Sequence, residues 1–265
     1  MELFGYISSL FIGFTLGLIG SGGSILTVPV LVYLFSVDAL AASSYSLFIV
    51  GLTSAIGSIE YFRSGLVNIR MAIVFGAPSI ITVFLTRAYI LPAMPNEIIA
   101  FGSFHITKSI FIMLLFALLM IAASYSMIKK EKEKKEKTGI APKFNFFLIL
   151  LEGAAVGIVT GIVGAGGGFL IIPTLVLLSK LSMKEAVGTS LVIIAAKSLI
   201  GFWGEGSDTI IDWNLIATVS VIAIIGIFVG IYFSKKIDGN KLKPIFGWFV
   251  LILGVFIIIK ETILR

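Results

Sequence analysis

The 265-residue sequence contains no cysteine and a single histidine, His105. Without cysteine, the chain can form no disulfide, no thiolate metal site and no cysteine nucleophile. One histidine leaves almost no material for a histidine metal site or a serine–histidine pair. No G-x-x-x-x-G-K-[ST] stretch occurs, so a P-loop and direct use of ATP are excluded. The sequence therefore predicts that the protein is not an enzyme and binds no cofactor or metal.

Charged residues are also few. They make up 13% of the chain, against 58% hydrophobic residues, and the mean hydropathy is +1.12. A soluble domain carries about 25% charged residues, and this chain repeats apolar runs near the length that spans a bilayer. We expect an all-α integral membrane protein of the cell (inner) membrane. The opening MELFGY has no basic region or cleavage site, so we predict no removable signal peptide.

The hydrophilic stretch KKEKEKKEKTGIAPK divides the chain near its middle. It predicts a first transmembrane repeat at 1–128, a basic linker at 129–143 and a second repeat at 144–265. Basic loops between apolar segments are typical of cytoplasmic loops, and no aromatic residues alternate with the charges to stack on bases, so no nucleic acid partner is expected. Apolar segments lie at about 3–20, 25–36, 39–62, 68–90, 107–128, 144–163, 169–180, 185–203, 213–233 and 243–264.

A glycine-rich motif occurs once in each half. GLIGSGGSILTVP at 17–29 returns as GIVGAGGGFLIIP at 161–173, which is 144 residues later. Apolar bias alone would align leucines, but it would not align glycines, prolines and serines together. The two halves are therefore an internal repeat. The same shift of 144 brings Gly17, Gly20, Gly22, Gly23, Pro29, Ser46, Ser54 and Gly57 onto Gly161, Gly164, Gly166, Gly167, Pro173, Ser190, Ser198 and Gly201.

The distribution of lysine and arginine predicts how the repeats are oriented. If the linker is cytoplasmic, Arg63 and Arg70 also lie inside, whereas Arg87 lies outside. The count of crossings closes only if 144–180 form a re-entrant hairpin from the cytoplasmic side, and by repeat symmetry 3–36 form the matching hairpin from the outside. Each repeat then has a broken hairpin plus three transmembrane helices, so the two repeats are inverted and both termini are non-cytoplasmic. The alternative is one broken crossing per glycine segment, which gives parallel four-helix repeats.

Each glycine motif precedes a segment too short to span a membrane. Unwound backbone at membrane depth must be buried in protein or line a cavity, and the following helix presents free N–H groups and a partial positive charge. Two such ends pointing toward the middle would bind an anion without charged side chains. Close helix packing is the alternative role for these glycines. The predicted substrate-binding residues of the motifs are Gly20, Ser21, Gly22, Gly23, Ser24, Gly164, Gly166, Gly167 and Gly168.

Polar side chains in the helix after each motif extend the predicted site. Ser46, Ser190 and Thr189 lie about two turns into that helix, where a hydroxyl either donates to an anion or bonds to the carbonyl four residues back. Lys197 is a charge well inside a span, and such residues are functional hypotheses by default. Its repeat counterpart is Thr53, so the repeat does not require a cation, and snorkelling to the interface is the alternative.

The pattern G-x-G-G-x-x-x-x-x-P in each half, followed by A-x-x-x-S-L, resembles the TauE/SafE family of membrane transporters. The family is linked to export of sulfite, sulfonates and related organic anions. The resemblance implies a bacterial or archaeal inner-membrane carrier whose motif positions include Gly20, Gly22, Gly23, Gly164, Gly166 and Gly167. The first half carries Tyr45 where the second carries Thr189, which bears on whether the two half-sites are equivalent.

Together these features predict a secondary transporter, an exporter of small sulfur-containing or organic anions that works by alternating access. Its predicted partners are the anion and the lipid bilayer, and the sequence leaves the oligomeric state open, a homo-oligomer included. Two other functions stay open: an anion channel on the same scaffold, and a non-transporting membrane protein whose glycines pack helices or which handles lipid.

Overall fold

A computed structural model describes residues 2–20, 23–101, 104–128, 146–177, 181–204, 211–234, 236 and 239–262. Ten helices form in these residues. They are α1 (Glu2–Ile19), α2 (Ser24–Leu34), α3 (Ala39–Arg63), α4 (Ile69–Ala93), α5 (Lys108–Ile128), α6 (Phe146–Val163), α7 (Gly168–Leu177), α8 (Met183–Trp203), α9 (Trp213–Ser234) and α10 (Gly239–Thr262). The predicted linker, 129–143, lies outside the described residues.

The chain is a helical, multi-pass membrane protein, as predicted. Five of the described helices, α3, α4, α5, α8 and α9, are long and apolar enough to cross a membrane. Large apolar side chains such as Trp203 and Phe147 face outward, whereas many serine and threonine side chains are buried. This arrangement suits a lipid environment, because the solvent around the helices is itself apolar.

A short β-hairpin follows α4, between the predicted apolar segments 68–90 and 107–128, where the sequence analysis predicted no regular structure. Strand β1 (Glu97–Phe101) pairs antiparallel with β2 (Phe104–Thr107). The segment contains several β-branched and aromatic residues, which favour strands, and its two strands are separated by only two residues. The backbone N–H of Lys108 donates to the carbonyl of Asn96 at 2.9 Å and closes the hairpin base.

The first glycine motif reverses the chain. The end of α2 returns to the start of α1, where the rings of Tyr6 and Phe35 lie 5.3 Å apart. A Cβ placed on Gly23 would lie 2.8 Å from Leu16 Cγ, so α2 begins beside the later part of α1. A continuous helix would carry these residues far apart, because each residue advances the helix by 1.5 Å. Helices α1 and α2 therefore form a hairpin.

The first helix of each half packs along the fourth helix of the other half. A Cβ on Gly13 of α1 would lie 2.9 Å from Ala223 Cα of α9. At the repeat-related position, a Cβ on Gly157 of α6 would lie 3.0 Å from Ser79 Cα of α4. Glycine permits such close approach because it has no side chain to separate the backbones. The repeat is therefore visible in packing as well as in sequence.

The third helices, α3 and α8, pack against each other in antiparallel directions. Phe48, early in α3, stacks edge-on against Phe202, late in α8, with ring centroids 5.2 Å apart. At the other end, Gly188, early in α8, approaches Tyr61, late in α3, and a Cβ there would lie 2.9 Å from Tyr61 Cβ. The repeat-related helices α3 and α8 are therefore antiparallel where they pack against each other.

Matched caps explain why the long helices begin where they do. The side chain of Asp38 accepts from Leu40 N–H at the start of α3, and Ser182, its repeat counterpart, forms a capping box with Glu185 at the start of α8. Asn68 caps α4 through Met71 N–H, and its counterpart Asp212 accepts from Leu215 N–H at the start of α9. Side chains at N-caps satisfy amides that the helix leaves unpaired.

Candidate functional site

Gly20 and Gly164 end α1 and α6 with the same backbone geometry. Both have φ of 77°, a left-handed value that favours glycine. The N–H of Gly20 donates to Leu16 O at 2.7 Å, and that of Gly164 donates to Thr160 O at 2.8 Å. The two predicted breaks thus begin with the same local structure.

Each break rests on the third helix of the opposite half. A Cβ on Gly20 would lie 2.5 Å from Val187 Cγ1 in α8, and one on Gly164 would lie 2.5 Å from Ser43 Cα in α3. Val187 and Ser43 are themselves repeat-related. Because real Cβ atoms do not approach so closely, only glycine fits at these two positions without rearrangement.

The second break continues into the crossing of α3 and α8. Gly166 and Gly167 have φ of 64° and 70°. A Cβ on Gly166 would lie 2.9 Å from Val50 Cγ1 of α3 and 3.3 Å from Ser198 Oγ of α8. Gly168 is buried and is the first residue of α7. The unwound residues of this motif therefore lie between the middles of the two antiparallel helices.

The first break is described only in part. Ser21 and Gly22 lie outside the described residues. Gly23 has φ of −67° and is the N-cap of α2, where no side chain caps the helix, and Ser24 after it is buried. The two halves differ at this point, since Gly167, the counterpart of Gly23, is left-handed.

Lys197 is fully buried next to the second break. Its Nζ donates to Thr160 Oγ1 at 2.9 Å, and a Cβ on Gly167 would lie 2.7 Å from Nζ. Thr160 Oγ1 donates in turn to Val156 O at 2.7 Å. Within the described residues, Thr160 is the one hydrogen-bond partner of Nζ, which has three donors. The lysine side chain thus lies beside the N-terminus of α7, which favours negative charge.

Four repeat-related serines lie on α3 and α8, and the hydroxyls of three of them have no hydrogen-bond partner among the described residues. Ser190 Oγ donates to Val187 O at 2.8 Å, with Gly20 O at 3.4 Å. Ser46, its counterpart, is buried, and its Oγ has no partner among the described residues. The same holds for Ser54 and Ser198, of which Ser198 lies at Gly166. Buried hydroxyls normally find a hydrogen-bond partner, so a buried hydroxyl without one either lowers the stability of the fold or binds a ligand.

Sequence reasoning did not include Ser54 and Ser198 in the site. The signal was available, because the pair is identical in both halves and lies two turns beyond Ser46 and Ser190. Only the packing of Gly166 against Ser198 distinguishes these serines from others that merely face the protein interior.

Thr189 holds the backbone of the opposite half. Its Oγ1 accepts from Asn68 N–H at 2.9 Å, and the Tyr45 hydroxyl accepts from Asp212 N–H at 2.9 Å. Each acceptor is the repeat counterpart of the other, and so is each donor. The tyrosine in the first half therefore does not disturb the equivalence of this contact.

Arg87 is a second buried basic residue, and the sequence analysis did not include it in the site. It lies on a π-helical turn of α4, Thr86–Ile90, and is fully buried. Its Nη2 donates to Ser43 Oγ at 2.9 Å and its Nη1 to Ser44 Oγ at 3.2 Å. Ser43 is the residue on which Gly164 rests. A π-helical turn changes which face of the helix a residue occupies. The position of Arg87 three residues before the end of an apolar segment did not indicate this burial.

The structure brings Gly164, Gly166, Gly167, Gly168 and Lys197 together at one place. Ser190 lies at Gly20, whereas Thr189 is engaged with Asn68. In the part of the chain that is described, no group of three or more His, Cys, Asp or Glu side chains is placed to hold a metal ion. The arrangement is a buried cluster of backbone, hydroxyl and ammonium donors, which suits an oxyanion.

Comparison with known proteins finds relatives along nearly the whole chain. The sequence profile of the family described as Sulfite exporter TauE/SafE matches residues 6–257. A "Probable membrane transporter protein" of Xylella fastidiosa (strain Temecula1) is 26% identical over 251 residues, which cover 93% of this chain and 91% of that protein. YdhB of Bacillus subtilis, also named a probable membrane transporter protein, is 24% identical over 88% of this chain and 90% of its own length.

A third relative matches over part of the chain. The "Probable membrane transporter protein MJ0441" of Methanocaldococcus jannaschii is 31% identical over 124 residues, or 43% of this chain and 46% of that protein. No solved structure matches.

Proposed function

Because the chain belongs to the TauE/SafE family of sulfite exporters, we propose that this membrane transporter exports small sulfur-containing or organic anions, such as sulfite or sulfonates. The observation that carries the proposal is Lys197, a fully buried ammonium whose Nζ lies at the unwound Gly167. A buried charge is costly unless it is paired. An anion held between Lys197 and the amides of the break would pair it.

The serine hydroxyls add neutral donors to this site. Ser198 Oγ at Gly166 and the unpartnered Ser46 and Ser54 offer O–H groups from α3 and α8. Sulfite and sulfonate groups present several acceptor oxygens on one tetrahedral or pyramidal centre, and several convergent donors bind such a group better than one ammonium does. This supports an oxyanion over a halide as the substrate.

Alternating access between two inverted repeats is the proposed mechanism. Its support is that the equivalent helices α3 and α8 run antiparallel and that the break of one half rests on the third helix of the other. Glycine contacts between α1 and α9, and between α6 and α4, would let these pairs slide with little steric obstruction. Gly164 and Lys197 are buried, which supports a conformation in which the proposed site is closed to both sides.

The proposed topology has the 129–143 linker in the cytoplasm and both termini outside. Its support is the concentration of lysine and arginine in the linker and in the turns near Arg63 and Lys236. An anion that leaves the cytoplasm moves down the inside-negative membrane potential. One negative charge gains about 2.3 kcal/mol per 100 mV, so export needs no coupling ion.

Flux measurements in proteoliposomes test the proposed function. Purified protein is reconstituted with labelled sulfite, a sulfonate, a carboxylate or sodium ion on one side, and an inside-negative potential is imposed. Saturable efflux of sulfite or the sulfonate, with no sodium flux, is the expected result. Currents that do not saturate would assign a channel instead, and absence of flux for every anion would contradict the proposal.

A further inference from the structure

A groove of about 340 Å³ opens on the surface of the helical bundle where α3, α4 and α8 meet. Its lining includes three small residues, Ala72 and Gly76 of α4 and Ala196 of α8, together with larger apolar residues such as Ile69 and Val192. The helices remain close below it, since a Cβ on Gly76 would lie 3.6 Å from Ile193 Cγ1. The groove is apolar and lies on helices that cross the membrane, so its natural contents are hydrocarbon rather than water.

The repeat-related position in the other half is filled by aromatic rings. Val192 and Ile69 correspond to Phe48 and Trp213. These two rings lie 5.7 Å apart, and Phe202 packs against both at 5.2 and 6.3 Å. The protein thus closes this position in one half with its own side chains. In the half with the groove, smaller residues leave the corresponding space to another molecule.

One end of the groove is basic. Phe62 and Ile69 line that end, and each is followed directly by an exposed arginine, Arg63 and Arg70. Lys184 is exposed at the start of α8, two turns before Val192. Two carboxylates also lie near these helix ends: Glu60 is three residues before Arg63 in α3, and Glu185 accepts from Ser182 Oγ at 2.7 Å in the capping box. The three cations outnumber these carboxylates where the helices end.

We infer that this groove binds an anionic phospholipid of the phosphatidylglycerol type. One acyl chain lies between Ala72 and Ala196, and the phosphate lies against Arg63 and Arg70. Basic pockets between transmembrane helices bind anionic headgroups in this way. A zwitterionic lipid fits the groove equally well but lacks the net charge, so headgroup charge sets the preference. The site is independent of the anion site at Lys197.

Native mass spectrometry of the detergent-purified protein tests this site, with dioleoyl phosphatidylglycerol and dioleoyl phosphatidylcholine titrated separately. Each basic residue near an anionic headgroup contributes a factor of about five. The double variant Arg63→Gln/Arg70→Gln should therefore bind phosphatidylglycerol roughly 25-fold more weakly while its affinity for phosphatidylcholine stays the same. Val192→Phe, which copies the aromatic residue of the other half, should weaken both lipids.

The control is Lys236→Gln, which removes a charge from the turn before α10, where Nζ donates to the Tyr232 hydroxyl at 2.7 Å. It should leave the affinity for both lipids unchanged. The surface arginine variants keep the test valid even if Val192→Phe folds poorly. Equal affinity of the wild-type protein for the two lipids, or an unchanged affinity for phosphatidylglycerol in the double arginine variant, would overturn the inference. Because no transport is measured, failure of this test leaves the proposed export function untouched.

Discussion

At the scale of single residues, Gly164 carries two constraints at once. Its φ is 77°, and a Cβ would lie 2.5 Å from Ser43 Cα. Gly65 has a similar φ of 67°, but nothing lies within 4 Å of its Cβ position. Substitutions at Gly65 and Gly164 therefore allow the effect of backbone strain to be separated from that of steric exclusion.

Gly65→Ala should lower stability by about 1 kcal/mol, because it adds only left-handed strain. Gly164→Ala should lower it by about 3 kcal/mol or more, since strain and overpacking both act. Thermal unfolding of the two variants in the same detergent measures the difference. Equal losses for both would mean that the break does not rest on α3 as described.

Ser198→Ala tests whether the unpartnered hydroxyls belong to a ligand site. Removing a buried hydroxyl that lacks a protein partner relieves a desolvation cost of about 1–3 kcal/mol, so the melting temperature without anion should stay the same or rise. The upward shift of the melting temperature on adding sulfite should shrink, because a ligand that binds more weakly stabilises the folded state less.

Ser9→Ala is the matched control, since Ser9 is also buried but its Oγ donates to Gly5 O at 2.8 Å. It should leave the sulfite-induced shift unchanged. If Ser198→Ala destabilises the protein and keeps the full shift with sulfite, Ser198 has a purely structural role.

At the scale of helices, the repeat predicts that two chemically different residues do the same work. Tyr45→Phe and Thr189→Val each remove the acceptor of one N-cap amide, that of Asp212 or Asn68. Each change should cost about 1 kcal/mol, because a part-buried amide loses its hydrogen-bond partner. Denaturation of the two variants in detergent checks this. A loss in only one of them would show that the halves are not equivalent here.

Cysteine cross-linking tests the antiparallel packing of α3 and α8, and the chain is suited to it because it has no cysteine of its own. The pair Phe48→Cys and Phe202→Cys should be joined by a short, reducible bifunctional thiol reagent, since these side chains pack together. The pair Phe48→Cys and Gly188→Cys should not, because these positions lie at opposite ends of the contact. Mobility on non-reducing gels reads out both; the reverse pattern would require parallel helices.

Much of the helical arrangement could be predicted from the sequence. Each apolar segment coincides with a helix, and the short segments at 25–36 and 169–180 match α2 (Ser24–Leu34) and α7 (Gly168–Leu177). Hydrophobicity and glycine spacing are local signals, so they predict elements well. The β-hairpin was missed because its strands are short and lie in what reads as a loop.

The sequence could not show which elements meet. The contact between Thr189 and Asn68 joins residues far apart in the chain, and nothing in either neighbourhood indicates it. The burial of Arg87 depends in the same way on its π-helical turn and on Ser43 and Ser44 of α3. Lys197 was recognised as an intramembrane charge, but its position at Gly167 follows only from the packing of α6 against α8.

At the scale of the whole molecule, the proposed topology places the two ends of α4 on opposite sides of the membrane. Single cysteines at the exposed positions Ser64 and Asn96 report on these ends, and Lys137→Cys reports on the linker. In intact cells, an impermeant maleimide should label Asn96→Cys, whereas Ser64→Cys and Lys137→Cys should react only after lysis. Labelling of Ser64→Cys and Asn96→Cys together in intact cells would exclude this topology.

The central claim is that a negatively charged substrate pairs with Lys197 at the unwound glycines, and sulfite efflux from proteoliposomes containing Lys197→Met measures it most directly. Methionine matches the length of the lysine stem and suits a buried position, so the variant should fold at least as stably as the wild type. Efflux should fall about 100-fold or more, consistent with loss of a buried charge pair of about 3 kcal/mol, while Lys236→Met keeps the wild-type rate. Wild-type efflux by Lys197→Met would contradict the account.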